Sequence, residues 1–141
     1  MDKSKKVKHY LVGQSYWDVF VIDKNKTMSE ACKLMDKNTI GALIVVDKKK
    51  DITKSRVVGI VTERDIVKEI AHNSVDVEDR TVNQIMTDSV VSTTSNATSE
   101  EAVKLMIENQ IRHLAVIEEG ELKGVISMRD LFYSLNYLNK Q

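Results

Sequence analysis

The 141-residue chain contains no proline and only one cysteine, and it has no excess of charge of either sign. The single cysteine, Cys32, excludes an internal disulfide bond and favours a reducing compartment. Because 21 basic residues balance 21 acidic ones, no global electric field draws the chain to nucleic acid or to an acidic membrane. We therefore expect no nucleic-acid partner and no membrane partner.

Long apolar stretches are also missing from the sequence. No run approaches the roughly 20 residues that a membrane-spanning helix needs. The N-terminal lysines are not followed by the continuous apolar stretch of a signal peptide. These absences predict a cytoplasmic protein. A content of 42% hydrophobic and 30% charged residues indicates a folded, globular chain and excludes a disordered one.

The arrangements that catalysis requires are not found either. The sequence shows no nucleophile beside a general base, no paired acidic metal site and no Walker-type glycine loop. His9 and His72 have no partner at the spacing of metal ligands, which favours surface histidines. The sequence therefore predicts a protein that is not an enzyme and that has no catalytic cofactor or metal site.

What the sequence does contain is an internal repeat. Residues 19–46 align without a gap with residues 90–117, and 12 of the 28 pairs are identical. The offset then falls from 71 to 65 residues, so that residues 59–65 align with residues 124–130. The difference of six residues predicts a longer, solvated loop in the first copy. A unit of this length cannot close a core alone, so we expect the two copies to pack together and to form related clefts.

Each copy predicts the order strand, helix, strand, strand, helix, which places the chain in the α+β class. The pairs Thr27/Glu30 and Thr98/Glu101 form the capping-box pattern of a helix start. Glu119-Gly120 predicts a tight hairpin turn between the last two strands of the second copy. The predicted boundaries are a frayed N-terminal tail (1–11), a first repeat (12–72), a connector (73–83) and a second repeat (84–138).

The pattern glycine, two apolar residues, Thr or Ser, any residue, Arg and Asp occurs in both copies, where a strand ends and a helix begins. There, a hydroxyl can bond a ligand, a carboxylate suits the hydroxyl pair of a ribose, and an arginine suits phosphate oxygens. The residues concerned are Thr62, Arg64 and Asp65, and Ser127, Arg129 and Asp130. The same hydroxyl and carboxylate pairs also fit simple helix caps. The residues alone leave both interpretations open, although capping does not explain the arginine.

The two copies resemble CBS domains, and the chain resembles a stand-alone tandem pair of them, called a Bateman module. The resemblance rests on residues 60–65 (IVTERD) and on residues 111–116 (IRHLAV) followed by 124–127 (GVIS), and it extends over roughly residues 12–138. It implies two β-α-β-β-α repeats packed with pseudo-twofold symmetry, and a homodimer formed through the repeat helices. It also implies an adenosyl ligand that is held without being consumed: AMP, ADP, ATP, NAD(H) or S-adenosylmethionine. The arginines favour a phosphate-bearing ligand over the cationic S-adenosylmethionine, which is therefore less expected.

The resemblance further implies ligand sites that are shared between the copies. In one site, Thr62, Arg64 and Asp65 would face Arg112 and His113. In the other, Ser127, Arg129 and Asp130 would face Gly41 and Ala42. Arg112, and His113 when protonated, would add positive charge to the first site. We therefore expect the site of Asp65 to bind a phosphorylated ligand more tightly than the site of Asp130.

Two functions remain open at this point. The first is a regulatory module that binds an adenine nucleotide and signals to an unknown effector protein by a conformational change. The second is a structural dimerisation module whose ligand sites are weak or vestigial. The intact aspartate and arginine in both copies favour the first function.

Overall fold

The computed structural model describes residues 2–11, 20–74 and 76–132. These residues form two compact units. The repeat-1 unit consists of the described residues between 20 and 90, and the repeat-2 unit consists of residues 2–11 and 91–132. The predicted start of repeat 1 (12–19) and the predicted end of repeat 2 (133–138) lie outside the described residues.

The repeat-1 unit has the element order that the sequence predicts. Its elements are β1 (Val21–Asp23), α1 (Met28–Asn38), β2 (Ala42–Asp47), β3 (Arg56–Thr62), α2 (Glu63–Asn73) and α3 (Val82–Ile85). Strand β2 pairs parallel to β1 and antiparallel to β3. The short helix α3 was not predicted, and it begins within the predicted connector.

The repeat-2 unit has the same order. Its elements are β4 (Ser92–Thr93), α4 (Ser99–Asn109), β5 (His113–Glu118) and β6 (Glu121–Ser127), and residues 128–132 are helical. Strand β5 pairs parallel to β4 and antiparallel to β6. The predicted hairpin turn is confirmed, because Glu119 (φ 53°) and Gly120 (φ 79°) both take the left-handed conformation that a two-residue turn of type I′ needs.

The capping boxes start α1 and α4 as predicted. The Thr27 hydroxyl accepts a hydrogen bond from the Glu30 amide (3.1 Å), and the Glu30 carboxylate accepts one from the Thr27 amide (3.0 Å). Thr98 and Glu101 form the same pair of bonds. Each helix then packs its apolar side against the strands of its own repeat, so each repeat has a separate core. The buried core of repeat 1 includes Met28, Ala31, Met35, Leu43, Val45 and Val61, and that of repeat 2 includes Ala102, Met106, Leu114, Val116, Ile126 and Leu131.

The N-terminal segment differs from the prediction. Instead of a frayed tail, residues 3–10 pack on the start of α4 and end in a 3-10 helix (Val7–Tyr10). The Ser99 amide donates to the Lys5 carbonyl (2.7 Å), and the Val7 amide donates to the Ala97 carbonyl (2.8 Å). Val7 and Tyr10 are buried in the core of repeat 2. The prediction was wrong because it relied on the four lysines, of which Lys3 and Lys8 do stay exposed, and did not consider the buried side chains of Val7 and Tyr10.

The connector packs on repeat 1 in the same way. The Met28 amide donates to the Arg80 carbonyl (3.0 Å), and the Val82 amide donates to the Lys26 carbonyl (2.7 Å). Residues 3–10 and 78–85 therefore take equivalent places on the two repeats, at an offset of 75 residues. We call them the completing segments. Val7 and Val82 are the only identical pair between them, so the sequence comparison does not detect this part of the repeat.

Among the described residues, no helix combines the length and the apolar character that crossing a bilayer requires.

Candidate ligand-binding corners

In each repeat, the predicted site residues meet where the last strand ends and a helix begins. In repeat 1, Ala42 pairs with Thr62 across β2 and β3, and the Glu63 amide donates to the Gly41 carbonyl at 3.0 Å. In repeat 2, His113 pairs with Ser127, and the Met128 amide donates to the Arg112 carbonyl at 2.8 Å. We define the repeat-1 corner as Gly41, Ala42 and residues 62–65, and the repeat-2 corner as Arg112, His113 and residues 127–130.

The hydroxyl and the carboxylate of the repeat-1 corner form a capping box. The Asp65 amide donates to Thr62 Oγ1 (3.2 Å), while the Thr62 amide (2.8 Å) and hydroxyl (3.0 Å) both donate to Asp65 Oδ2. Within the described part of the chain, Asp65 Oδ1 accepts no hydrogen bond. The cap interpretation is thus confirmed, and it leaves one carboxylate oxygen for a ligand. The two interpretations of this motif are compatible.

The repeat-2 corner is capped in the same way. The Asp130 amide donates to Ser127 Oγ, and the Ser127 amide donates to Asp130 Oδ2, both at 2.9 Å. The two aspartates and the two hydroxyl residues are therefore held in matching conformations by their own helix starts.

Glu63 is a member of the repeat-1 corner that the sequence analysis missed. A Cβ atom on Gly41 would lie 2.9 Å from Glu63 Oε1, so the carboxylate of Glu63 covers the Gly41 backbone. The motif treats position 63 as variable, and only the fold brings it over Gly41. At the equivalent positions, repeat 2 has Arg112 in place of Gly41 and Met128 in place of Glu63. The repeat-1 corner therefore carries one more carboxylate and one fewer guanidinium group than the repeat-2 corner.

The charge of His113 differs from the expectation. Burial lowers the pKa of His113 below its usual value, and the nearby Arg112 charge lowers it further, while Asp130 opposes the shift. Because an unperturbed histidine has a pKa of about 6.5, His113 is neutral at pH 7. The expected gain of charge from a protonated His113 is wrong, and Arg112 alone contributes a positive charge from this pair.

Arg64 and Arg112 are exposed, and neither makes an ion pair with any residue that the structure describes. Both guanidinium groups are thus available to an anion. In the same part of the chain, no group of three or more His, Cys, Asp or Glu side chains is placed to hold a metal ion.

The expected sharing of each ligand site between the two copies stays a prediction.

Comparison with known proteins gives a consistent match. The family model of the CBS domain matches residues 15–72 and 82–137. A 17.7 kDa protein of Acidianus ambivalens is 38% identical over 118 residues, which cover 83% of this chain and 67% of that protein. Inosine-5'-monophosphate dehydrogenase of Methanocaldococcus jannaschii is 32% identical over 123 residues. That match covers 85% of this chain, and the chain spans only 22% of the enzyme.

Solved structures match over nearly the whole chain. The CBS-domain containing protein ATU1752 from Agrobacterium tumefaciens is 30% identical, with a TM-score of 0.68 and coverage of 96% of each chain. CBSX2, whose crystal structure is a complex with AMP, is 18% identical, with a TM-score of 0.71 and coverage of 96% of this chain and 99% of that chain. The second likeness is one of fold alone.

Proposed function

Because this chain belongs to the CBS-domain family, we propose that it is a non-catalytic regulatory module that binds an adenosyl ligand and thereby changes its interaction with a separate effector protein. The observation that carries the proposal is the repeat-1 corner. There, one carboxylate oxygen of Asp65 receives no hydrogen bond from the described residues. The neighbouring Arg64 also lies in the first turn of α2.

The chemistry of this corner suits a nucleotide. A carboxylate oxygen can accept hydrogen bonds from the two hydroxyls of a ribose, as acidic residues do in other nucleotide-binding folds. The first turn of α2, an 11-residue helix, presents the positive end of the helix dipole, although its Glu63 and Asp65 amides already donate to Gly41 and Thr62. Arg64 adds a forked donor for phosphate oxygens. The guanidinium and the helix dipole favour AMP, ADP, ATP or NAD(H) over the cationic S-adenosylmethionine, whereas the Glu63 carboxylate of the same corner opposes that preference.

The comparisons support the class of ligand less directly. CBSX2 has been crystallised with AMP, and this chain shares its fold. The fold is therefore one on which an adenosyl ligand can be held. The choice of ligand for this chain rests on its own corner residues.

A regulatory function requires a ligand that binds two states of the module with different affinities. The carboxylate of Asp65 is both the proposed ribose ligand and part of the cap of α2. Ligand binding would thus act directly on the start of a helix. We propose that this change is transmitted to the effector protein through a homodimer formed by the repeat helices.

A structural dimerisation module is the second candidate function. The observation that favours it is the exposure of apolar side chains on the helices: Val67 on α2 is 63% exposed, and Ile107 on α4 is 65% exposed. A dimer interface would bury such side chains whether or not a nucleotide binds.

The experiment that separates the two functions is a calorimetric titration of nucleotide-free protein with AMP, ADP, ATP, NADH and S-adenosylmethionine. We expect one phosphorylated ligand to bind and the Asp65→Ala variant to lose that binding. Asp130→Ala reports on the repeat-2 corner in the same way.

Glu30→Ala is the matched control, because it removes the same carboxylate of a capping box from α1 without touching either corner. It should lose some helix stability, about 1 kcal/mol, and keep its affinity for the ligand. If the folded wild-type protein binds none of the five compounds, the module is a dimerisation scaffold.

A further inference from the structure

Repeat 1 has an open cavity of about 280 Å³ beside β1, α1 and the end of β2. It lies toward Asp47, whereas the repeat-1 corner lies at the other end of β2, beside Ala42. The residues that line it are Val21, Ile22, Asp23, Lys26, Glu30, Leu34, Val46, Lys48 and Ile52. Five of the nine are apolar, so the cavity can bury a hydrophobic group.

One wall of the cavity is supplied by the longer loop of the first copy. This loop is not merely solvated, as the sequence suggested, because it folds around Ser55, which is fully buried. The Ser55 hydroxyl accepts a hydrogen bond from the Lys49 amide (2.9 Å), and the Asp23 carboxylate accepts one from the Lys48 amide (3.0 Å). These bonds hold Lys48 at the cavity, and the Ser55 amide, which donates to the Ile52 carbonyl (3.0 Å), holds Ile52 there. Repeat 2 has a two-residue turn at this place and lacks such a loop.

The surface around the cavity is basic. The carboxylates at the cavity and beside it are already engaged. Asp23 bonds two backbone amides. Glu30 accepts a hydrogen bond from the Thr27 amide and lies 4.0 Å from the ammonium of Lys26. Asp47 lies 3.8 Å from the ammonium of Lys24 and 3.4 Å from that of Lys49. The ammonium groups of three further lysines make no ion pair with the part of the chain that the structure describes. They are Lys48, Lys50 and Lys54. A chain with no net charge thus concentrates unpaired positive charge in the loop that lines this partly apolar cavity.

We infer that this cavity docks an acidic segment of a partner protein, with one aliphatic side chain in the cavity and its neighbouring carboxylates against Lys48 and Lys50. A small organic acid would fill the cavity and reach Lys48, but it would leave the lysines beyond the mouth unused. A peptide segment can place an aliphatic side chain in the cavity and carboxylates against the lysines at the same time. Charge complementarity of this kind speeds association and selects the partner.

This inference depends on the proposed function in one respect: it identifies the docked partner with the effector protein. The docking test therefore contains no nucleotide, and its failure would leave the nucleotide titration untouched.

The probe is a 12-residue synthetic peptide with one central leucine between glutamates. It is titrated into the ¹⁵N-labelled full chain at low salt, and amide shifts are followed. We expect shifts at Ile22, Val46 and Ile52, with binding that weakens as salt rises. Lys48→Glu should weaken binding about tenfold. Lys33→Glu is the matched control, because Lys33 is exposed on α1 and does not line the cavity.

Three companion probes decide between explanations. The peptide with serine in place of leucine, and the peptide with glutamines in place of glutamates, should each bind at least about tenfold more weakly. Octanoate tests the alternative of a free small acid. If octanoate shifts the cavity amides and the acidic peptide does not, the peptide inference is overturned. It is also overturned if neither shifts them, or if Lys48→Glu binds the peptide as tightly as the wild type.

Discussion

Two glycines of repeat 1 differ in what surrounds their α-carbons. A Cβ atom on Gly59 would lie 2.5 Å from the Thr87 carbonyl oxygen and 2.8 Å from the Met86 sulfur. The Thr87 backbone is held there by a reciprocal pair of hydrogen bonds with Ile60. A Cβ atom on Gly41 would instead meet the end of the Glu63 side chain, which can rotate away.

We therefore expect Gly59→Ala to lower the free energy of unfolding by about 1–3 kcal/mol, because the backbone of residues 86–87 must move. Gly41→Ala should cost less than about 1 kcal/mol. Urea denaturation of the two variants beside the wild type measures both values. Equal losses at the two positions would contradict this account of the close approach at Gly59.

His113 makes the stability of the chain depend on pH. Burial lowers the pKa of His113 in the folded state. Between this lowered pKa and the value of about 6.5 in the unfolded chain, the unfolded state binds a proton that the folded state does not. The free energy of unfolding therefore falls as the pH drops below about 6.5, and this contribution is constant above that value.

The check is urea denaturation at pH 7.5 and pH 5.5 for the wild type and for His113→Gln. The variant should lose less stability between the two pH values, because it lacks this titrating group. An identical loss in both proteins would show that the neutral state of His113 is not maintained by the fold.

At the scale of residues, the sequence predicted that the hydroxyl and carboxylate of each motif could cap a helix, because the motif lies at a strand-to-helix junction and the capping bonds are local. The sequence grouped Thr62 with Arg112 and Ser127 with Gly41, and that grouping stays a prediction. The sequence did not predict the role of Glu63 or the neutral state of His113. Both depend on burial and on contacts between residues from different strands, which a linear pattern does not contain.

At the scale of elements, the completing segments are the main feature. Ser99 is fully buried, and its hydroxyl donates to the Lys5 carbonyl at 2.7 Å and lies 3.1 Å from the Tyr10 hydroxyl. Val7 is fully buried as well, as is its counterpart Val82 on repeat 1. Residues 3–10 are thus part of the repeat-2 fold.

We expect Val7→Ala to lower the free energy of unfolding by about 2 kcal/mol, the value for removing about two buried carbon atoms together with the cavity left behind. Val82→Ala should have a similar effect, because it occupies the equivalent place. Lys8→Ala is the control for the same segment and should change stability by less than about 0.5 kcal/mol, since Lys8 is exposed. Chemical denaturation measures all three, and a Val7→Ala variant as stable as Lys8→Ala would mean that the segment is not part of the core.

The order of the other elements was predicted, as were the starts of α1 and α4 and the turn between β5 and β6, because capping boxes and the Glu119-Gly120 turn are local signals. The completing segments were not, since their partners lie far away along the chain and their two sequences share only Val7 and Val82. The hydrogen bond between Ser99 and Lys5 joins residues 94 positions apart.

At the scale of the whole molecule, the repeat pattern was sufficient to predict the fold class, and membership of the CBS family confirms it. The homodimer stays a proposal, and the exposed Val67 and Ile107 offer a direct test. We expect Val67→Glu and Ile107→Glu together to convert a dimer into a monomer, because the interface would have to bury two carboxylates.

Light scattering coupled to size-exclusion chromatography gives the mass of each species. Lys33→Glu serves as the control for an added negative charge on an exposed helix face. A double variant that remains dimeric would place the interface elsewhere.

The completing segments also bear on the order in which the protein is made. Repeat 1 is built from one continuous stretch of chain, so its core can close soon after residue 90 has left the ribosome. Repeat 2 joins residues 3–10, which precede repeat 1 in the chain, to strands that follow repeat 1. Val7 and Tyr10 therefore have no core to enter until repeat 2 has been synthesised, which makes this segment a target for a chaperone or a protease during that interval.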